Sequence, residues 1–296
     1  MIEQKNGLLI RAVGGFYYVK TADGVYECKA RGTFRRGASP LVGDSVNISM
    51  QKDGYHAIEE ILPRKNFLIR PPIANLDLLV IVCSADAPLP NPLITDKMIA
   101  SAIYHDIKPI VVVTKQDIKD TSDFTQIYVD IGLTAINFSA VTGEGLEQIR
   151  NELKGKIVAF TGNSGVGKST LLNALYPSLS LQTGETSKKL GRGRHTTRTV
   201  ELFQTADGYV ADTPGFSTLD MQKLTFVNKD ELKHCFPEFE EYFGKCQFNS
   251  CNHICEKGCL VIDAVKKGKI PKSRHNSYVA IYNEIKDIKE WERKDK

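Results

Sequence analysis

The tetrad Thr114-Lys115-Gln116-Asp117 lies upstream of the run Gly162-Asn163-Ser164-Gly165-Val166-Gly167-Lys168-Ser169-Thr170, and that order constrains the fold more than any other feature of the chain. The second segment is a complete G-x-x-x-x-G-K-[ST] phosphate-binding loop. The first has the residues that read guanine. In an ordinary guanine-nucleotide fold the phosphate loop comes first, the switch segments follow, and the base-reading elements come last. Here base reading precedes phosphate binding, which predicts a circularly permuted α/β domain.

Each loop residue has a chemical reason to be there. Gly162, Gly165 and Gly167 let the backbone approach phosphate closely, so that successive N–H groups and a helix N-terminus point at the anion. Lys168 reaches the β- and γ-phosphates and the Ser169 hydroxyl takes Mg²⁺, with Asn163, Ser164, Val166 and Thr170 completing the cradle. The context fits: residues 156–160 read as a buried strand and residues 169–175 as the helix that follows. After a second apolar strand, 209–211, comes Asp212-Thr213-Pro214-Gly215. Asp212 offers a carboxylate to hold Mg²⁺ through water, and Gly215 an N–H to sense the γ-phosphate.

The tetrad closes the apolar run Ile110-Val111-Val112-Val113, at the strand edge where ligands sit in open α/β sheets. Asp117 can accept from guanine N1–H and the 2-amino group, donors that adenine lacks, so it should exclude ATP. Lys115 is expected over the base plane, with Gln116 between them. Thr114 stands where most GTPases carry Asn, which leaves the stiffness of this loop open. Ser139-Ala140, after the strand 133–138, fits the loop that meets guanine O6 through backbone N–H.

The permutation needs only a short join, residues 151–155, between the helix 146–151 and the phosphate-loop strand, as expected where domain termini lie close together. The new ends open beyond switch II, so whatever follows Asp220 is tethered to the segment that responds to the γ-phosphate. The 296 residues suffice for two or three domains, and 42% hydrophobic with 25% charged residues is a globular composition. No apolar stretch approaches membrane-spanning length and the N-terminus is not a signal peptide, so the expected place is the cytosol, with no membrane partner. The net charge of +4 is modest, but its distribution is uneven. Lys29, Arg31, Arg35 and Arg36 form one group, Lys188, Lys189, Arg192, Arg194 and Arg198 a second, and Lys266, Lys267, Lys269, Lys272 and Arg274 a third. Three such groups suit an extended anionic partner, although any one of them is also an ordinary solvated loop.

Residues 1–70 lack helical periodicity. Short β-branched and aromatic runs at 8–13, 16–21, 25–30, 45–50 and 55–62, divided by Gly14-Gly15, Asp23-Gly24, Gly43-Asp44 and Asp53-Gly54, predict a small five-stranded barrel. An OB-type barrel leads, with residues 31–37 as an oligonucleotide-binding loop; an SH3-like barrel stays open. Arg70-Pro71-Pro72 reads as a stiff extended linker. Residues 71–221 alternate strand and helix, the pattern of a doubly wound parallel sheet. Residues 222–296 read as a mainly helical domain, with helices at 229–236 and 276–291 around a cysteine-rich loop.

Five of the seven cysteines lie between Cys235 and Cys259. Cys246-x4-Cys251-x-His253-x5-Cys259 offers three thiolates and an imidazole, a set suited to tetrahedral structural Zn²⁺, with Cys255 as a rival ligand. A cytosolic chain disfavours disulfides. Cys28, Cys83 and Cys235 read as plain buried residues.

Taken with Gly191-Arg192-Gly193-Arg194-His195-Thr196-Thr197-Arg198, this order of motifs, the flanking barrel and the cysteine-rich loop resemble the family of ribosome small subunit-dependent GTPase A along essentially the whole chain. The resemblance implies an OB domain, a permuted GTPase domain and a zinc domain that dock on the small ribosomal subunit and its rRNA during late maturation. It implies GTP hydrolysis to GDP and phosphate that the subunit stimulates and that is linked to release of the factor, which is expected to act as a monomer. It further implies that Cys246, Cys251, His253 and Cys259 are the four zinc ligands and that residues 114–117 and 162–170 contact nucleotide.

One departure from the general GTPase pattern bears on mechanism. Many GTPases place a water-orienting Gln after the Asp-x-x-Gly segment, and this chain has Phe216, which cannot hydrogen-bond to water. Intrinsic hydrolysis is therefore expected to be slow. His195 in switch I is the nearest chemically suitable group, with a phosphate or RNA contact as its alternative role; the resemblance favours catalysis. Thr196 or Thr197 is expected on Mg²⁺ when switch I closes. Two rival classes remain: a small-molecule kinase, which has no use for the guanine tetrad, and a nucleotide-regulated RNA-binding module without useful hydrolysis.

Overall fold

A computed structural model describes residues 4–31, 34, 39–51, 55–69, 71–177, 200–212 and 227–289. The chain divides into two compact units, with the described parts of Met1–Leu79, Arg150–Phe160 and Ser187–Phe216 in one and those of Val80–Ile149, Thr161–Thr186 and Ser217–Lys296 in the other.

The first unit begins with the predicted strands, β1 (Gln4–Val13), β2 (Phe16–Lys20), β3 (Val25–Ala30), β4 (Ser45–Ser49) and β5 (His56–Ile61). Gly14 and Gly15 sit at φ 59° and 82°, as a two-residue hairpin turn between β1 and β2 requires. The strands run β1-β2-β3-β5-β4, and β1 also pairs with β4 to close the ring. β3 and β5 are parallel and the other barrel pairs antiparallel. That Greek-key closure is OB-type and decides against the SH3-like alternative. Alternation turns Leu9, Val19, Cys28, Val46, Ile48 and Ile58 into the barrel, where all are fully buried.

After the barrel, β6 (Phe67–Ile69) pairs antiparallel with β7 (Pro72–Ala74). This corrects the expectation of an extended linker at residues 70–72: Pro71, with its fixed φ, serves a turn between two paired strands instead. The same unit holds β11 (Lys156–Thr161), β12 (Glu201–Thr205) and β13 (Gly208–Asp212). β11 runs parallel to β13, β12 antiparallel to β13, and β12 meets barrel strand β1 at Glu201 opposite Arg11.

In the second unit β8 (Leu78–Ser84), β9 (Lys108–Thr114) and β10 (Thr134–Asn137) are neighbours in that order, and β9 and β10 are parallel. The unit also holds α1 (Pro92–Tyr104), α2 (Ser122–Asp130), the first turn of α3 (Leu146–Leu153) and α4 (Lys168–Leu175). β8 is buried along its whole length, as a strand covered on both faces must be. α1 starts at Pro92, because the Asn91 side chain caps the Ile94 N–H and Pro92 occupies the first turn. The C-terminal part carries 3₁₀ turns at Leu232–Cys235 and Pro237–Tyr242, then α5 (Leu260–Lys266) and α6 (Lys272–Ile285). The helix expected at 229–236 is thus a short 3₁₀ turn ahead of Pro237, and α6 begins just after Pro271. Its core of Leu232, Phe236, Phe239, Val261, Tyr278 and Ile281 also packs Ala100 of α1. Among the described residues no helix is long and apolar enough to cross a membrane.

Candidate nucleotide site and metal cluster

β11 delivers the chain to Gly162, whose φ of 149° suits glycine alone. A side chain there would overlap the Val82 carbonyl, so the loop is drawn tight against β8. Gly165 and Gly167 take φ of 81° and 87°, and Gly167 caps α4, which begins at Lys168. The helix thereby turns its free N–H groups toward the loop, with Ser169 and Thr170 in its first turn. Lys168 folds back over the loop, donating to the Gly162 carbonyl at 2.6 Å and the Asn163 carbonyl at 2.7 Å. Burial pushes its pKa down, and an arriving phosphate would offset that loss of solvation. Asn163 is partly buried, Ser164 exposed and Val166 buried.

The segment 114–117 is wired to this loop. Thr114 ends β9 almost fully buried, and its hydroxyl donates to the Val166 carbonyl at 2.6 Å and lies 3.2 Å from the Cys83 carbonyl. The stiffness left open in the sequence is therefore supplied by Thr114, because a hydroxyl reaches the same carbonyl an amide would. Lys115 has φ 61° and donates through Nζ to the Ala87 carbonyl at 2.7 Å. Gln116 Nε2 donates to the Thr121 hydroxyl at 2.9 Å. Asp117 is exposed, and its Oδ1 accepts from the buried Ser139 hydroxyl at 2.6 Å. Ser139 Oγ in turn accepts from Val141 N–H and Thr142 N–H, both at 3.2 Å. One hydroxyl thus orients the Asp117 carboxylate and shapes the loop of Ala140. Asp212 ends β13, whereas His195, Thr196, Thr197, Gly215 and Phe216 lie outside the described residues.

Farther along the same unit, Cys246, Cys251, His253 and Cys259 bring one ligand atom each to within 4.8 Å of one another and could hold a metal ion. His253 Nδ1 lies 3.7, 3.5 and 3.4 Å from the sulfurs of Cys246, Cys251 and Cys259. A tetrahedral ion with ordinary Zn–S and Zn–N bonds sets that edge at about 3.6 Å, so the donors fit a small tetrahedral metal. Cys255, the rival ligand in the sequence, is exposed and outside the cluster. Further hydrogen bonds hold the loop. The His253 carbonyl bonds the His275 ring at 2.7 Å, and Glu256 accepts from the N–H groups of Asn252, Ile254 and Cys255. Burial pushes the Cys251 thiol up to about 12, so metal binding has to displace protons.

Against known proteins, residues 61–222 match the family described as RsgA GTPase and residues 6–58 the RsgA N-terminal domain. The RsgA of Caldanaerobacter subterraneus subsp. tengcongensis, named a small ribosomal subunit biogenesis GTPase, is 45% identical over 293 residues and 97% of each chain is covered. The chain belongs to the RsgA GTPase family. The RsgA of Geobacillus kaustophilus is 44% identical over 96% of this chain and 98% of its own. In structure this RsgA GTPase is similar to YjeQ from Thermotoga maritima, with a TM-score of 0.83, 33% identity and 97% and 100% of the two chains covered. YloQ, described as a circularly permuted GTPase, gives 0.80 at 35% identity over 97% and 96%. The motif order is thus that of a permuted GTPase fold. Residues 157–293 also match a domain described as 50S ribosome-binding GTPase.

One basic residue of this RsgA GTPase does not face a partner. Arg274, grouped above with the C-terminal lysines, is fully buried. Its Nη1 donates to Asp96 Oδ1 of α1 at 2.6 Å, and its Nε and Nη2 to the Glu238 carboxylate at 2.7 and 3.3 Å. The sequence signal was a lone acid, Asp96, amid the buried residues of α1.

Proposed function

We propose that this GTPase binds the small ribosomal subunit and its rRNA, assists late maturation of the subunit, and hydrolyses GTP to GDP and phosphate at a rate the subunit raises, with hydrolysis coupled to release. The observation that carries this reading is correspondence over 97% of both chains to a relative named for small-subunit biogenesis. The tie of Thr114 to Val166 and of Ser139 to Asp117 supports it by uniting base reading and phosphate binding. Residues 114–117, Ser139 and Ala140 take the guanine, and residues 162–170 the phosphates. Ser169, Asp212 and Thr196 or Thr197 hold Mg²⁺, whose chemistry is to neutralise charge on the β- and γ-phosphates; these oxygen donors suit it. Gly215 senses the γ-phosphate and His195 acts as the catalytic group in place of the missing Gln. Cys246, Cys251, His253 and Cys259 hold one structural Zn²⁺. The domains are 1–70, 71–221 and 222–296, and the protein works as a cytoplasmic monomer.

The match to a 50S-binding domain raises the large subunit as a second reading, but it spans the general phosphate-loop half and not the barrel. Co-sedimentation decides between them. The full chain with a non-hydrolysable GTP analogue should pellet with small subunits, and GDP should free it. Pelleting with large subunits alone would overturn the proposal.

A further inference from the structure

The barrel carries an aromatic cluster at the start of β2 and just ahead of β5 that the candidate nucleotide site does not use. Phe16 is the first residue after the β1–β2 turn, and Tyr55 the last before β5. Their ring centroids lie 5.0 Å apart, with the planes tilted by 54°. In an OB barrel the β1–β2 and β4–β5 loops and the face of β2 and β3 are the oligonucleotide-binding elements. Both rings therefore sit where two of those elements meet.

The arrangement is backed by charge. Lys29 Nζ lies over both rings, 4.0 Å from the Tyr55 centroid and 5.1 Å from that of Phe16. Lys29 makes no ion pair among the described residues, and Tyr55 stays 48% exposed. The alternation that buries Val19 and Cys28 turns Phe16, Tyr18 and Lys29 outward together. Arg11 covers the Tyr18 ring at 5.3 Å, while the Glu27 hydrogen bond raises the Tyr18 hydroxyl pKa. An acid thus limits the cluster at its Tyr18 end. From Lys29 to Arg36 the sequence holds four cations and no acid.

Resting on the small-subunit reading above, we propose that Phe16, Tyr55 and Lys29 form a platform on which unpaired RNA bases stack. Aromatic rings beside a cation suit a chain of bases and phosphates. A duplex keeps its base faces inside the helix, so the platform selects single-stranded segments. Stacking tolerates any base, which makes the site one for unpaired structure more than for a sequence.

The test is fluorescence anisotropy of the full chain with a labelled single strand of roughly 12 nucleotides, within the span of one OB fold, and with the same strand annealed to its complement. Wild type should prefer the single strand. Tyr55→Ala and Phe16→Ala should each weaken that binding by roughly five- to a hundredfold. Tyr55→Phe should stay within about twofold, since the ring is retained. The salt slope should not change in any of these variants, because no charge is removed. Tyr55 is exposed, so its variants keep the fold, and unstimulated GTP turnover should equal wild type. Unchanged single-strand binding in Tyr55→Ala, or preference for the duplex in wild type, overturns the platform. So does a Tyr55→Ala chain that loses subunit binding while wild type ignores naked RNA, because the rings then meet a ribosomal protein. If wild-type turnover is stimulated by small subunits but single-strand binding ignores Tyr55, the platform falls alone. Without stimulation the functional reading falls, and anisotropy still judges the platform.

Discussion

Replacing Arg274 by Met would leave two carboxylates facing each other in a dry interior. Arg274 and Asp96 have fully buried side chains and that of Glu238 is 4% exposed. Burial opposes the Arg274 charge, and the two carboxylates outweigh it, holding the guanidinium above its ordinary pKa. Burial also pushes the Asp96 carboxyl up in spite of Arg274. Removing one partner of such a group costs about 3–5 kcal/mol, because the remaining charges are uncompensated. The cost should depend on pH. A carboxyl raised in the folded state binds protons more tightly there than in the unfolded chain, so it favours folding as pH falls below its folded value. Without Arg274 the Asp96 carboxyl should rise further, and the penalty should shrink by up to about 1.4 kcal/mol per pH unit as it protonates. Urea titrations of wild type and Arg274→Met, followed by circular dichroism between pH 8 and pH 6, read this directly. Adding Asp96→Asn and Glu238→Gln should restore most of the loss at pH 8. A penalty below about 1 kcal/mol, or one that ignores pH, would refute the reasoning.

Three further outcomes are expected. Asp117→Asn should weaken GTP by at least about a hundredfold and gain xanthosine nucleotides, whose position 2 is a carbonyl, in competition assays with a fluorescent nucleotide. Thr114→Val should weaken GDP by about tenfold by freeing the Val166 carbonyl, while Thr114→Ser stays near wild type in the same assay. Elemental analysis should find one zinc per chain, lost in Cys259→Ser and kept in Cys255→Ser; chelation should unfold the C-terminal part and spare nucleotide binding.

The barrel was legible because Gly14-Gly15 and the other turn residues divide β-branched runs at regular intervals, and the nucleotide site because Gly162 and Asp117 belong to motifs of fixed spacing. Strand count did not reveal topology: an OB-type and an SH3-like barrel share the alternation of Val19 and Cys28, and only the parallel β3–β5 pair separates them. Ligand choice in the metal cluster was likewise open, since Cys255 and Cys259 are equivalent in composition and differ only in burial. Arg274 was misplaced because a cation among lysines reads as solvated unless its partners, 178 and 36 residues away, are known. Pro71 and Pro237 carried boundary information, but a proline marks a break without saying whether a turn, a linker or a 3₁₀ segment follows.

We propose a GTPase whose rate is set by the small ribosomal subunit. Phosphate release at saturating GTP should be measured with the chain alone, with purified small subunits and with large subunits. Turnover should be slow alone, rise by roughly a hundredfold or more with small subunits, change little with large subunits, and lose most of the rise in His195→Ala. Equal stimulation of wild type and His195→Ala would remove His195 from the mechanism. Turnover that small subunits leave unchanged, or that large subunits raise more, would contradict the account itself.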